Sequence, residues 1–341
     1  MRIKEIDTAR GFTVLIMPAV HVLMINSTFT TQTSFLGKFF GFLAEGPGAQ
    51  LFMLLMGMSF SFSKNKSFTD VLKKAFILLI AGYTLNFLKF DLPILAGIMP
   101  QSFLTELHLK LNANGMIQLF LIGDILQLAA IAMVILGIVY QLPKFHVWAL
   151  MIATLIILIS PVQLINISDN LFTRHLTDLL FAQDEYVYFP VFPWLCYPLI
   201  GLSLGHYLFT TNNFFTICRN AGIALMIAGK LFCFFGLTGS CDNFYKTGAG
   251  GTMYHLGFVL LWLYLIHLVV VYLPPNRFCN FLLWLSRNIT GIYIIQWICI
   301  FWMINVGGYH QLGITASIVY ILFMSSFVFG LNYCINRLLR K

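Results

Sequence analysis

The feature that most limits what this chain can fold into is a succession of about ten apolar stretches, most approaching the ~20 residues that cross a bilayer as a helix. They lie near Arg10–Ile25, Gln50–Ser63, Ala75–Leu88, Leu119–Tyr140, Val147–Ile165, Phe189–Phe209, Phe215–Phe235, His255–Leu273, Ile289–Val306 and Ile314–Ile335. Charged residues make up 9% of the 341, and 59% are hydrophobic; soluble domains carry about 25% charged residues. The mean hydropathy of +0.86 agrees. In hydrocarbon every backbone polar group needs an internal partner, which leaves helices for stretches of this length. The expected fold is therefore an all-α, polytopic membrane bundle, a single transmembrane domain over residues 1–341. No soluble domain and no internal repeat is evident.

A formal net charge of +8 on a soluble chain would suggest nucleic acid. Here its distribution matters more, and the expected partner is the lipid bilayer, not nucleic acid. With the N-terminus in the cytoplasm, inside segments collect Arg2, Lys4, Arg10, Lys64, Lys66, Lys73, Lys74, Lys144, Arg219, Arg277, Arg287, Arg337, Arg340 and Lys341. Outside segments hold Lys38, Lys89, Lys110, Arg174 and Lys246. This excess chooses the orientation by the positive-inside rule and places both termini in the cytoplasm. The expected location is a bacterial inner (plasma) membrane.

The basic start followed by an apolar run has the outline of a signal peptide. Glu5, Asp7, an intramembrane His21 and the lack of an A-x-A site favour an uncleaved first span. The seven cysteines form no CxxC pair and no metal-ligand cluster, so neither zinc nor a disulfide framework is expected. Only Cys241 falls in a loop assigned outside, which argues against an internal disulfide.

Arg10 and His21 are eleven residues apart. At about 100° per residue they share one stripe of a helix to within roughly 20°, about 16 Å apart along its axis. Asp7 lies one turn below Arg10 on the same side. A histidine inside a span is costly unless it faces the bundle interior, which makes it a candidate for function; the bland reading is an imidazole that ties helices together. Pro18 removes the hydrogen bond to the Val14 carbonyl and is expected to kink the helix one turn before His21. Arginine at a helix start is also ordinary topology signal, yet its guanidinium suits phosphate. Asp124 and Lys230 are further charges within expected spans, read as a structural ion pair or as substrate contacts. His255 sits at the outer end of its span. His108, His146, His175 and His310 read as solvated loop residues. Gly201-x-x-x-Gly205 reads as close helix packing.

The stretch IDTARGFTVLIMPAVH resembles the first span of the transmembrane acyltransferase superfamily, which includes the acyltransferase-3 proteins and the heparan-α-glucosaminide N-acetyltransferase catalytic domain. Asp7, Arg10, Gly11 and His21 match the acyltransferase-3 pattern position by position. GAQLFMLLMGMSFSFSK, with Gly57 and Ser59, is similar to the family's second span. FPVFPWLCYPLIGLSLGHYL resembles the proline-tryptophan span of the heparan-type branch. LSRNITGIYIIQW is similar to a later pattern, with Gln296 where a histidine often stands. Residues 27–45 hold no histidine, although the heparan-type enzymes use one after the first span. The base is then His21 or a residue elsewhere.

The resemblance implies a membrane acyltransferase that takes an acyl group, expected to be acetyl, from cytoplasmic acyl-CoA to a hydroxyl or amine of a glycan or glycolipid outside. His21 would be the catalytic base, Arg10 and Asp7 the donor-phosphate end, and Gln50, Ser59, Asp124, Lys230, His255 and Gln296 the substrate contacts. Acetyl-CoA would be a co-substrate; no permanently bound cofactor or metal is implied, and a homodimer is left open. The rival is a proton- or ion-coupled transporter or flippase of a small polar solute or lipid-linked sugar, with His21, Asp124 and Lys230 forming its path.

Overall fold

A computed structural model describes residues 3–63, 67–106, 112–159, 171–181, 187–236, 241, 243–274 and 276–339. Arg2, Lys64, Lys66, His108, Lys110, Arg340 and Lys341 lie outside the described residues. The principal helices are α1 (Lys4–Asn26), α2 (Ala49–Phe62), α3 (Phe68–Asn86), α4 (Ile125–Tyr140), α5 (Phe145–Ile159), α6 (Cys196–Thr210), α7 (Phe214–Phe234), α8 (Ala249–Tyr272), α9 (Arg277–Arg287), α10 (Ile289–Trp302) and α11 (Ile314–Leu338). Among the described residues there is no β-strand, only two isolated bridges.

Each expected apolar stretch holds a helix over much of its described part; residues 160–165, the end of the expected Val147–Ile165 span, lie outside the described residues. By length and composition, six helices among the described residues are able to cross a membrane, or seven if α9 and α10, bent by 80° at their junction, count as one broken span. α4 and α5 are apolar but shorter. The helical membrane bundle thus stands, with six or seven full-length spans among the described residues.

The chain forms two compact units. One comprises Met1–Ile6, Glu45–Tyr83 and Leu121–Leu273; the other comprises Asp7–Ala44, Thr84–Phe120 and Pro274–Lys341.

In the first unit, α2 and α6 approach so closely that the position of a Cβ on Gly57 is taken by the Pro198 carbonyl, and one on Gly201 by that of Leu54. A Cβ on Gly205 would meet the Ser61 side chain and then the Met58 carbonyl. The expected small-residue packing is therefore present, with α2 as the partner. Gly222 and Gly229 of α7 meet Gly257 and Gly250 of α8 by the same device.

Two expectations need correction in this unit. Cys233, in the last turn of α7, is disulfide-bonded to Cys241, their Cα atoms 6.0 Å apart. The expected span Phe215–Phe235 includes Cys233; the helix ends one residue after it, at Phe234, so the thiol lies at the helix end. Asp124 is not inside a span either. It is the N-cap of α4, accepting the Ile125 N–H at 2.7 Å while its own N–H donates to Gln127 Oε1 at 3.2 Å. This capping box satisfies amides that have no partner within the helix, and α4 begins six residues later than the expected span.

In the second unit, α1 runs unbroken through Pro18. Gly11 lets it lie against the Leu282 backbone of α9. Its last carbonyls, on Ile25 and Asn26, accept the N–H groups of His310, Gln311 and Leu312 at 2.8–3.1 Å, so this helix end is closed by protein. After α3 the chain does not leave as a loop. A π-turn, Phe87–Asp91, continues it into Leu92–Leu95. Lys89 and Asp91, expected in an outside connection, are each only 2% exposed. Pro93 causes no break because it stands at the first turn of its short helix, where its missing N–H costs nothing.

Candidate functional site

His21 lies three turns along α1 from Arg10, and the unbroken helix keeps both on one stripe. The opposing surface is α10. Gln296 Nε2 is 3.0 Å from His21 Nδ1, and the Trp297 indole stacks on the imidazole with centroids 4.0 Å apart. Two consecutive residues of α10 thus fix one ring, one by an in-plane hydrogen bond and the other through its face.

The π-turn adds a cation. Lys89 Nζ lies 4.9 Å from the Trp297 ring centroid and 4.7 Å from that of Phe90. Phe90 in turn meets Phe301 edge-on at 4.9 Å, and Trp302 Nε1 donates to the Leu88 carbonyl at 2.9 Å. A π-turn inserts an extra residue into a helix and such turns are frequent at functional sites. Here it carries an ammonium to an indole face, a favourable pairing for a desolvated cation.

Polar atoms in this region stay without a hydrogen-bond partner among the described residues: Gln296 Oε1, Trp297 Nε1 and both carboxylate oxygens of Asp91. Gln296 is fully buried. Buried polar atoms are nearly always paired, so such a group calls for an explanation.

At the other end of the stripe, Asp7 Oδ1 is 3.6 Å from an Arg10 guanidinium nitrogen and accepts the Ser286 hydroxyl at 3.2 Å. Asp7 therefore orients Arg10 and ties it to α9. The sequence reading put Asp7 with Arg10 at the donor-phosphate end, and the two side chains do meet.

The first unit holds the remaining predicted residues. Gln50 Nε2 is 3.4 Å from His255 Nδ1, so these two candidates do meet. Phe244 stands 6.1 Å from the His255 ring, and Lys230 Nζ lies 4.5 Å over Tyr254. Tyr245, in the loop before α8, is neighboured by Tyr188, Asp124 and Glu45; burial first, then these groups, push its phenol up, so that it stays protonated. Ser59 returns its hydroxyl to the Leu55 carbonyl of its own helix at 2.6 Å. The predicted substrate contacts therefore divide, with Gln296 beside His21 in one unit and Gln50, Ser59, Asp124, Lys230 and His255 in the other.

Three histidines read as solvated are engaged. His175 Nε2 pairs with the Tyr83 hydroxyl at 2.9 Å. His146 stacks on His206 at 4.1 Å. His310 meets Gln32 and the Ser27 carbonyl, both at 3.2 Å. Trp297, Lys89 and Ser286 were missed as site residues. The only trace of the buried Lys89 in the sequence is that the apolar run resumes at Leu92–Leu95 just beyond it.

Among the described residues no three His, Cys, Asp or Glu side chains gather as metal ligands. A family model described as heparan-alpha-glucosaminide N-acetyltransferase, catalytic, matches residues 2–237. That range holds Asp7, Arg10, His21, Gln50, Ser59, Lys89, Asp124 and Lys230, and ends before His255, Gln296 and Trp297. No curated protein and no solved structure matches the chain.

Proposed function

This chain belongs to the heparan-alpha-glucosaminide N-acetyltransferase catalytic family, and from that premise we propose that it moves an acetyl group from cytoplasmic acetyl-CoA to a hydroxyl or amine of a glycan or glycolipid on the outer face of a bacterial inner membrane. The observation that carries this reading is the fixed imidazole of His21 on the same helical stripe as Arg10. A membrane-embedded group transfer needs a cation for the donor's phosphates and a base some distance deeper, and α1 supplies both about 16 Å apart.

In this reading Arg10, oriented by Asp7, receives a donor phosphate through its forked donors. The thioester reaches towards His21. His21 takes the proton of the acceptor's O–H or N–H as that atom attacks the thioester carbon; the C–S bond breaks, and the proton passes from the imidazolium to the departing thiolate. Atoms and charge balance without a metal or a redox partner. Lys89, held against Trp297, places positive charge close to where the thioester oxygen gains negative charge.

The transporter reading needed His21, Asp124 and Lys230 to form one path. Asp124 is engaged in capping α4 and Lys230 is placed over Tyr254, which weakens that reading. The deciding experiment gives purified protein labelled acetyl-CoA and a bacterial glycolipid extract. Release of CoA with label in the glycolipid supports transfer. Solute flux in proteoliposomes with no acyl chemistry would overturn it.

A further inference from the structure

We propose that Asp91 binds the acceptor, its carboxylate taking the O–H or N–H donors of the acceptor's sugar while the Trp297 indole N–H donates to a neighbouring hydroxyl; the inference rests on the acyl transfer proposed above. Asp91 lies in the stretch Phe68–Leu95, which is long and apolar enough to cross a membrane, and it is only 2% exposed. A carboxylate there is costly and is normally paired. Both oxygens of Asp91 are without a hydrogen-bond partner among the described residues.

The ordinary uses of such an aspartate are closed to it. Aspartate just ahead of a helix commonly caps it. Asp91 precedes Leu92–Leu95, yet its own backbone is helical, at φ −63° and ψ −46°, and its side chain makes no cap hydrogen bond. Lys89, two residues away, directs its ammonium to the rings of Phe90 and Trp297. No three metal-ligating side chains gather among the described residues. A buried carboxylate with none of these roles calls for a donor from outside the chain.

The surroundings define that donor. Phe90, beside Asp91 on the π-turn, meets Phe301 edge-on at 4.9 Å and stacks on Phe103 at 6.1 Å. Trp297 stacks on the same Phe301 at 5.8 Å. Trp297 Nε1, which can only donate, is buried and likewise unpaired among the described residues. An acyl chain would use neither group. Carboxylate oxygens and an indole N–H in apolar surroundings suit a sugar, whose hydroxyl and amine groups donate to the one while its oxygens accept from the other. The same indole stacks on His21 at 4.0 Å, so the recognition groups adjoin the base.

The test uses the full-length protein in nanodiscs and a bacterial glycolipid extract as the probe. An unpaired buried carboxylate destabilises the free protein, and an apolar residue of similar size relieves that cost. Asp91→Leu should therefore raise the thermal midpoint of the free protein. The extract should raise the midpoint of the wild type and leave that of Asp91→Leu unmoved; neither measurement needs acetyl-CoA. In the transfer assay Asp91→Asn should raise the acceptor KM on the order of 10- to 100-fold, as expected for loss of a hydrogen bond to a charged group, with kcat and acetyl-CoA binding near wild type. A midpoint lowered in both Asp91→Leu and Asp91→Asn would show a partner within the protein and overturn the inference. An acceptor KM unmoved in Asp91→Asn would do the same. So would a wild-type midpoint that rises with sodium ions and not with the extract, which would give the carboxylate to a coupling ion. A wild type that transfers nothing, yet is stabilised by the extract through Asp91, would sink the acyltransferase reading and keep the binding site.

Discussion

The imidazole of His21 lies against the indole of Trp297, ring centroids 4.0 Å apart and planes 26° from parallel. With Gln296 on its edge, His21 is held from two sides by consecutive residues of α10. A ring fixed this way can be changed chemically with little loss of packing. His21→Gln is expected to leave expression, detergent stability and acetyl-CoA binding nearly intact while cutting transfer by at least the roughly 10²-fold attributed to general acid–base catalysis. Donor binding and turnover are measured on the same purified variant. Turnover near wild type would exclude His21 as the base, and joint loss of folding and binding would return it to a structural tie.

Arg10 is braced by Asp7, which is also bonded to Ser286. Arg10→Ala should weaken acetyl-CoA binding about 10- to 100-fold, since a hydrogen bond to a charged group contributes roughly 1.5–3 kcal/mol. Arg10→Lys should recover part of this, because an ammonium cannot copy the fork. Calorimetric titration with acetyl-CoA reads both. Unchanged affinity in Arg10→Ala would leave Arg10 as a topology signal alone.

The Cys233–Cys241 bond closes a short loop after α7. Loop-closure entropy for a separation of 8 residues amounts to about 2–3 kcal/mol, so Cys241→Ser should lower the thermal midpoint. An impermeant maleimide added outside intact cells should label Cys241 only after reduction, and should spare a cysteine placed at Lys144. Labelling at position 144 from outside would reverse the orientation and the donor side with it.

The contact of α2 with α6 depends on Gly57 and Gly201 facing backbone. A side chain there has to push a helix aside, because carbonyls cannot yield as a flexible side chain does. Gly57→Leu should destabilise the protein by about 1–3 kcal/mol or more, read as a loss of monodisperse protein in detergent at rising temperature. The same change at Gly41, where a Cβ meets nothing within 4 Å, is the control and should be silent.

Although it indicated no helix at Phe35–Glu45, the sequence by itself determined the class of fold, the approximate place of most of the apolar helices and the candidacy of His21. Those properties are local: hydrophobic length selects a helix in lipid, and 3.6 residues per turn puts Arg10 and His21 on one stripe whatever surrounds them. The Gly201-x-x-x-Gly205 spacing announced a close helix contact for the same reason. Only the tertiary structure decided partners. That Gln296 and Trp297 hold His21, that Ser286 ties Asp7, and that Cys233 reaches Cys241 depends on residues up to 279 positions apart meeting in space, and no periodicity encodes that. Lys89 marks the limit most clearly. Its charge, next to Asp91 and ahead of Pro93 and Pro100, reads as the start of a connection, and a π-turn buries it instead, with the rings of Phe90 and Trp297 facing the ammonium.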